Sequence, residues 1–244
     1  FANVAALTFA DSTSDATLEA NAKLYAPQLP GAVGEELDRR APPGLKHLVS
    51  YAGMLVGAKG GSLFWSGQQV YGESTWFSPV FELPITGGGD ITGIAVQDGN
   101  LVVFKRDRIF IVGGQSPSDN GATGGLGDPS LVSSEWGCID ANSIVATAIG
   151  VFFQSDRGIE IFSRSLSVDW IGEPIQDTLA VYPYVTSAVV DMRNSIARFT
   201  LTKAITSGVV DAVVIDPPDS EDPVEHITGG GVDLAFDLRT KAWI

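Results

Sequence analysis

The sequence predicts an all-β chain built from β-propeller-type repeats of antiparallel blades, and three observations predict it. First, one phrase occurs four times: a short apolar strand, a tight polar turn, a second strand, another turn and a third strand. The copies lie at Leu48–Gly67, Ile94–Gly114, Val145–Ser165 and Ala188–Thr202. Second, aligned on their first turns at Gly53, Gly99, Gly150 and Asn194, the copies stand 46, 51 and 44 residues apart. A period of ~40–50 residues of β-meander marks propeller blades. Third, the 28 glycines and 13 prolines supply the turns that many short strands need. One such unit cannot bury both of its faces alone, so the copies must stack on one another.

Taken in order, residues 1–43 differ from the rest and form an N-terminal segment, expected to be the remnant of a preceding domain. Within it Ser12–Tyr25 has a capping-type start and a helix-compatible stretch. Pro27, Pro30, Gly31 and Gly34 then break the chain, and Arg39–Leu45 reads as an extended linker. Residues 44–244 form the propeller-type domain, with about four visible blades. Between the first two blades, Ser74–Pro79 is a loop carrying aromatics. Residues Gln115–Ser130, with four glycines close together, read as a flexible insertion. The last blade is expected to continue through Val209–Asp216, an acidic loop, and Val232–Ile244, where Asp237–Lys241 makes a hairpin turn. The missing initiator Met and the strand-like end suggest a piece of a longer chain.

Composition narrows the function. The chain is 44% hydrophobic with mean hydropathy +0.17, which supports a packed core. Its longest apolar runs are strand-sized, far short of the ~18–20 residues of a membrane-spanning helix. The opening residues have neither the basic start nor the cleavage pattern of a signal peptide. Cys138 is the sole cysteine, so neither an internal disulfide nor a cysteine pair for zinc is available. Net charge is −14, which disfavours gripping nucleic-acid phosphates.

No catalytic signature stands out. The two histidines, His47 and His226, lack the neighbours of a zinc set. Gly87–Asp90 and Gly229–Val232 are glycine triplets outside any strand-to-helix context, and read as turns. Glu160, Asp169 and Glu173 are close enough in sequence to raise a glycosidase pair, which needs carboxyls ~5–9 Å apart; solvated strand ends are the simpler reading. Asp156-Arg157-Gly158 reads as a hairpin tip. The loop Asp216–Glu225 carries Asp216, Asp219, Glu221, Asp222 and Glu225, but its three prolines interrupt the alternation a calcium loop needs. No cofactor or metal is expected. Trp65 and Trp243 are expected to pack between blades. Trp76, with Phe77 beside it, is the candidate for an exposed subunit contact, core packing being the competing reading.

Several phrases together resemble a known family. Pro42–Leu45, Ser62–Gly67, Trp76, Ile91–Ala95, Leu101–Gly114, Gly137–Ile139, Ser143–Phe162 and Trp170–Ile175 are similar to the tail tubular B, or nozzle, proteins of short-tailed bacteriophages and to the related phage stabilisation proteins. The likeness runs from about Ala41 to Gln176. It implies a structural, non-enzymatic subunit, six copies of which form a ring below the portal and adaptor. The ring would continue the DNA channel of a virion tail, assembled in the host cytoplasm, and DNA would pass without specific binding. An acidic lumen repels phosphate, which makes Asp216, Asp219, Glu221 and Asp222 candidate lumen or solvent-loop residues. The rival readings are a carbohydrate-binding propeller using aromatic loops and a propeller glycosidase.

Overall fold

The computed structural model describes residue 39 and residues 44–118, 121, 123–203 and 231–244. The helix-compatible stretch at 12–25, the expected strand at 209–216, the acidic loop with Asp216, Asp219, Glu221 and Asp222, and His226 lie outside the described residues.

The described chain is a succession of four antiparallel four-stranded sheets. Sheet 1 comprises β1 (Lys46–Tyr51), β2 (Met54–Lys59), β3 (Ser62–Ser66) and β4 (Phe77–Pro84). Sheet 2 comprises β5 (Ile91–Gln97), β6 (Asn100–Lys105), β7 (Ile109–Val112) and β10 (Ser130–Ser133). Sheet 3 holds β11 (Val145–Ala146), β12 (Gly150–Ser155), β13 (Gly158–Ser163) and β14 (Val168–Trp170). Sheet 4 holds β15 (Tyr184–Asp191), β16 (Ile196–Thr202), β17 (Gly231–Asp237) and β18 (Ala242–Trp243). The repeated phrase foresaw three strands in each of sheets 1 to 3, whose fourth, outer strand is the structure's addition; in sheet 4 the outer hairpin around Asp237–Lys241 is present as expected. A six-residue helix, α1 (Gln176–Val181), joins sheets 3 and 4 and was not foreseen either.

Tight turns set the register at the first hairpins of sheets 1 and 2. Ala52 and Gly53 both have positive φ, as do Asp98 and Gly99. Two left-handed central residues match the twist of the flanking strands, and glycine at the second position meets that demand at little steric cost.

The sheets pack face to face in chain order. The first strands β1, β5, β11 and β15 are successive neighbours, while no comparable contact joins β15 back to β1 among the described residues. Three apolar seams result. Val56, Leu63, Trp65 and Phe81 of sheet 1 meet Leu101, Val103 and Phe110 of sheet 2. Val102 and Phe104, on the other face of β6, meet Val151, Phe153 and Phe162 of sheet 3. Phe152 and Ile161 then turn to Phe199, Leu201 and Phe236 of sheet 4. Alternation of side chains across a strand explains the arrangement, since neighbours such as Phe152 and Phe153 serve opposite seams.

The glycine-rich insertion is partly ordered. Gly114–Gln115 (β8) and Gly125–Leu126 (β9) pair as a small ribbon. Leu126 packs on the first seam, and a Cβ on Gly125 would stand 3.4 Å from the Trp65 ring.

Candidate functional site

The aromatic loop is placed differently from the expectation of an exposed contact. Trp76 is 8% exposed and Phe77 5%. The reason is local: Gly67 leaves a slot where a Cβ would come within 2.2 Å of the Trp76 ring. The Gly67 amide also donates to the Trp76 carbonyl at 2.9 Å. Phe81 packs beside that ring at a centroid separation of 5.7 Å, and the Arg39 guanidinium lies 4.6 Å from its centroid. Trp76 is therefore a packing residue of sheet 1, and the same competing reading holds for Phe77. Trp65 and Trp243 pack between sheets as expected, Trp243 donating its indole N–H to the Ile171 carbonyl at 2.7 Å.

A richer cluster sits at the rim of the seam between sheets 2 and 3. The β12–β13 turn projects Arg157 so that its guanidinium carbon lies 4.5 Å from the Trp136 ring centroid and 5.0 Å from that of Trp170. Arg157 Nε also donates to Glu160 Oε1 at 3.3 Å, and Ser155 Oγ donates to the same oxygen at 2.5 Å. Glu160 is fully buried, opposite Trp170 in the β13–β14 ladder. Its second oxygen and the Trp170 indole N–H are both buried without a partner among the described residues. Two open depressions flank Arg157. One, of about 430 Å³, runs between β10 and β14 past Ser133, Trp136 and Ser167. The other, of about 500 Å³, lies between the turn and α1, beside Gln154, Leu179 and Tyr184. A guanidinium between indole rings with a charge-assisted bond to a buried carboxylate is a strong cross-seam fastening.

The three carboxylates raised by the sequence do not converge. Asp169 pairs with Ile161, the neighbour of Glu160, so Asp169 and Glu160 point to opposite faces of sheet 3. Glu173 is exposed at the start of a 3-10 turn (Glu173–Ile175), while Glu160 is sealed. Among the described residues no group of three or more His, Cys, Asp or Glu side chains is arranged to hold a metal ion. His47 is biased toward its neutral form, first by burial and then by the Lys46 charge.

Two further polar features lie along the seams, and sequence reading had not singled out Lys105. Lys105 in β6 is 1% exposed. Its ammonium donates to the carbonyls of Ile85, Gly87 and Gly89 at 2.5, 2.6 and 2.7 Å. The glycine triplet, read as a turn, is thus a turn whose carbonyls converge on a cation. Burial lowers the Lys105 pKa, with the nearby Asp90 charge opposing that shift. In the seam between sheets 2 and 3, Cys138 donates through Sγ to the Asp140 carbonyl at 3.1 Å. Burial pushes its thiol up to about 11, which keeps it protonated and unreactive.

Salt bridges join hairpin tips across the second seam at both ends. Arg106 meets Asp156 at 2.8 Å, and Arg164 meets Asp98 through both guanidinium arms, Nε at 2.9 Å. No helix among the described residues is long and apolar enough to cross a membrane. No family model matches the chain, and no curated protein is significantly similar to it.

Proposed function

We propose that this chain is a structural subunit of a bacteriophage tail, of nozzle type, built as a β-propeller-type array of four blades. Copies assemble into a ring of six that continues the DNA channel below the portal and adaptor and helps retain and release the genome. The observation that carries the reading is the serial order of four four-stranded sheets packed face to face, their first strands successive neighbours. That is the relation between adjacent propeller blades. The phrases from Pro42 to Ile175 that resemble nozzle proteins supply the link to a tail.

The polar residues of the seams support a scaffold role, because Lys105, Glu160 and Arg157 are engaged in fastening rather than presented to a substrate. The carbohydrate-binding alternative relied on Trp76 as an exposed platform, and that ring is buried. The net charge of −14 suits a channel that passes DNA without holding it, since acidic groups repel phosphate. Electron microscopy of the purified chain and of its parent particle tests the reading. Sixfold rings at the tail are expected; a chain that stays monomeric while binding glycans, or rings with a predominantly basic lumen, counts against it.

A further inference from the structure

Each inner seam joins the trailing face of one sheet to the leading face of the next, which leaves two faces over. The leading face of sheet 1 carries Leu48, Leu55, Phe64 and Val80, with Glu82 paired opposite Phe64 in the β3–β4 ladder. Leu48 is 59% exposed and Val80 37%. Gly57 makes this face shallow, since a Cβ there would strike Leu45 and Leu48 at 2.9 Å. The trailing face of sheet 4 carries the row Val189, Arg198 and Ala235, which are aligned partners across β15, β16 and β17. Val189 is 56% exposed, and Arg198 is exposed with no ion pair among the described residues.

We propose that these two faces bind each other between copies of the chain, sheet 4 of one copy closing on sheet 1 of the next. The proposal deepens the ring reading above by naming the surfaces that ring closure uses. Three observations favour a second copy as occupant. The two faces have opposite sense in the series, so one copy's trailing face can meet the next copy's leading face without either face pairing with itself. Such a head-to-tail contact uses two different patches, as a closed ring requires. Their chemistry is also complementary. On inner strands, Leu48 and Leu55 face Val189; further out, Arg198 meets the Phe64 ring and the Glu82 carboxylate. That is a cation–π contact joined to a charge pair, with an apolar centre and a polar edge.

The test measures molar mass by light scattering over a range of concentrations of the full chain. Three variants, Phe64→Asp, Glu82→Arg and Arg198→Glu, change open-face residues, and circular dichroism checks each fold. The wild-type chain is expected to associate. Each single variant should weaken association by roughly tenfold or more, and Glu82→Arg combined with Arg198→Glu should restore it. An equimolar mixture of Phe64→Asp and Arg198→Glu chains should stop at dimers, because each retains one intact face. A wild-type chain that remains monomeric throughout, or an Arg198→Glu chain that associates like wild type, overturns the proposal. Rings of six that survive all three variants would leave the tail reading standing and remove this interface. Variant-sensitive association without sixfold rings would do the reverse.

Discussion

Sheets 2 and 3 and sheets 1 and 4 are built from the same meander but are finished differently. β6 and β12, at the centre of the array, bury nearly every residue, because each has a sheet on both faces. β16, at the end, alternates buried Ala197, Phe199 and Leu201 with exposed Arg198 and Thr200. A continuous apolar run marks a strand covered on two sides, and alternation marks one covered on a single side. The comparison teaches that a blade's position in the array is written into its periodicity. It also makes sheet 1 the exception, since its open face keeps Leu48, Phe64 and Val80 where sheet 4 has Arg198, Thr200 and Asp233.

The sharpest way to break this contrast is to remove one large side chain from an inner seam. Phe153 is fully buried, its ring 5.0 Å from that of Phe104. Phe153→Ala should cost ~3–5 kcal/mol through lost burial and a residual cavity. Thr200→Ala, on the open face of sheet 4, should stay within ~1 kcal/mol despite its hydrogen bond to Asp233. Urea midpoints at unchanged slope would report both, and equal losses would mean that the end sheet is covered as deeply as the inner ones.

A smaller effect is expected at the polar fastening between sheets 1 and 2. Lys105→Met leaves three convergent carbonyls without their shared donor, and should cost about 3 kcal/mol. Lys105→Arg should not rescue it, because a planar fork does not reproduce three bonds to one nitrogen. Full stability in Lys105→Met would show that the glycine loop finds other donors.

The smallest effect belongs to the exposed bridge Arg164–Asp98. Arg164 holds the Asp98 carboxyl below its ordinary value of 3.8, chiefly by hydrogen bonding. A depressed carboxylate contributes stability that is present above that value and lost as pH falls through the lowered one. The gap between wild type and Arg164→Ala should therefore be slight at neutral pH, shrink with added salt and vanish in acid. A gap that widens in acid would reverse the sign and exclude this pairing as its source.

Much of the fold was legible because strand periodicity and turn chemistry are local. Ala52-Gly53 and Asp98-Gly99 specify tight hairpins through backbone sterics alone, and the Val102, Phe104, Phe152 and Phe153 runs announce buried strands. The outer strands β10 and β14 were not legible. Ser130–Ser133 and Val168–Trp170 are short, and half-exposed edges carry little alternation. α1 is six residues long and buries none of them, so it has no apolar stripe to detect.

The candidate sites were less legible still. Trp76 sits in a loop by sequence, and only the slot beside Gly67 decides that its ring turns inward. Glu160 and Asp169 are near one another along the chain, yet the pleat sends them to opposite faces. Lys105 carries no signal of its own in the sequence, and becomes a fastener only when the Ile85–Gly89 carbonyls are folded over it. The sequence by itself determined the four meanders, their order and the glycine turns, since each depends on residues a few positions apart. The tertiary structure alone decided which aromatics are sealed, which charges become fasteners and which two faces stay open. Those outcomes depend on which sheet lies against which, and no local pattern encodes that.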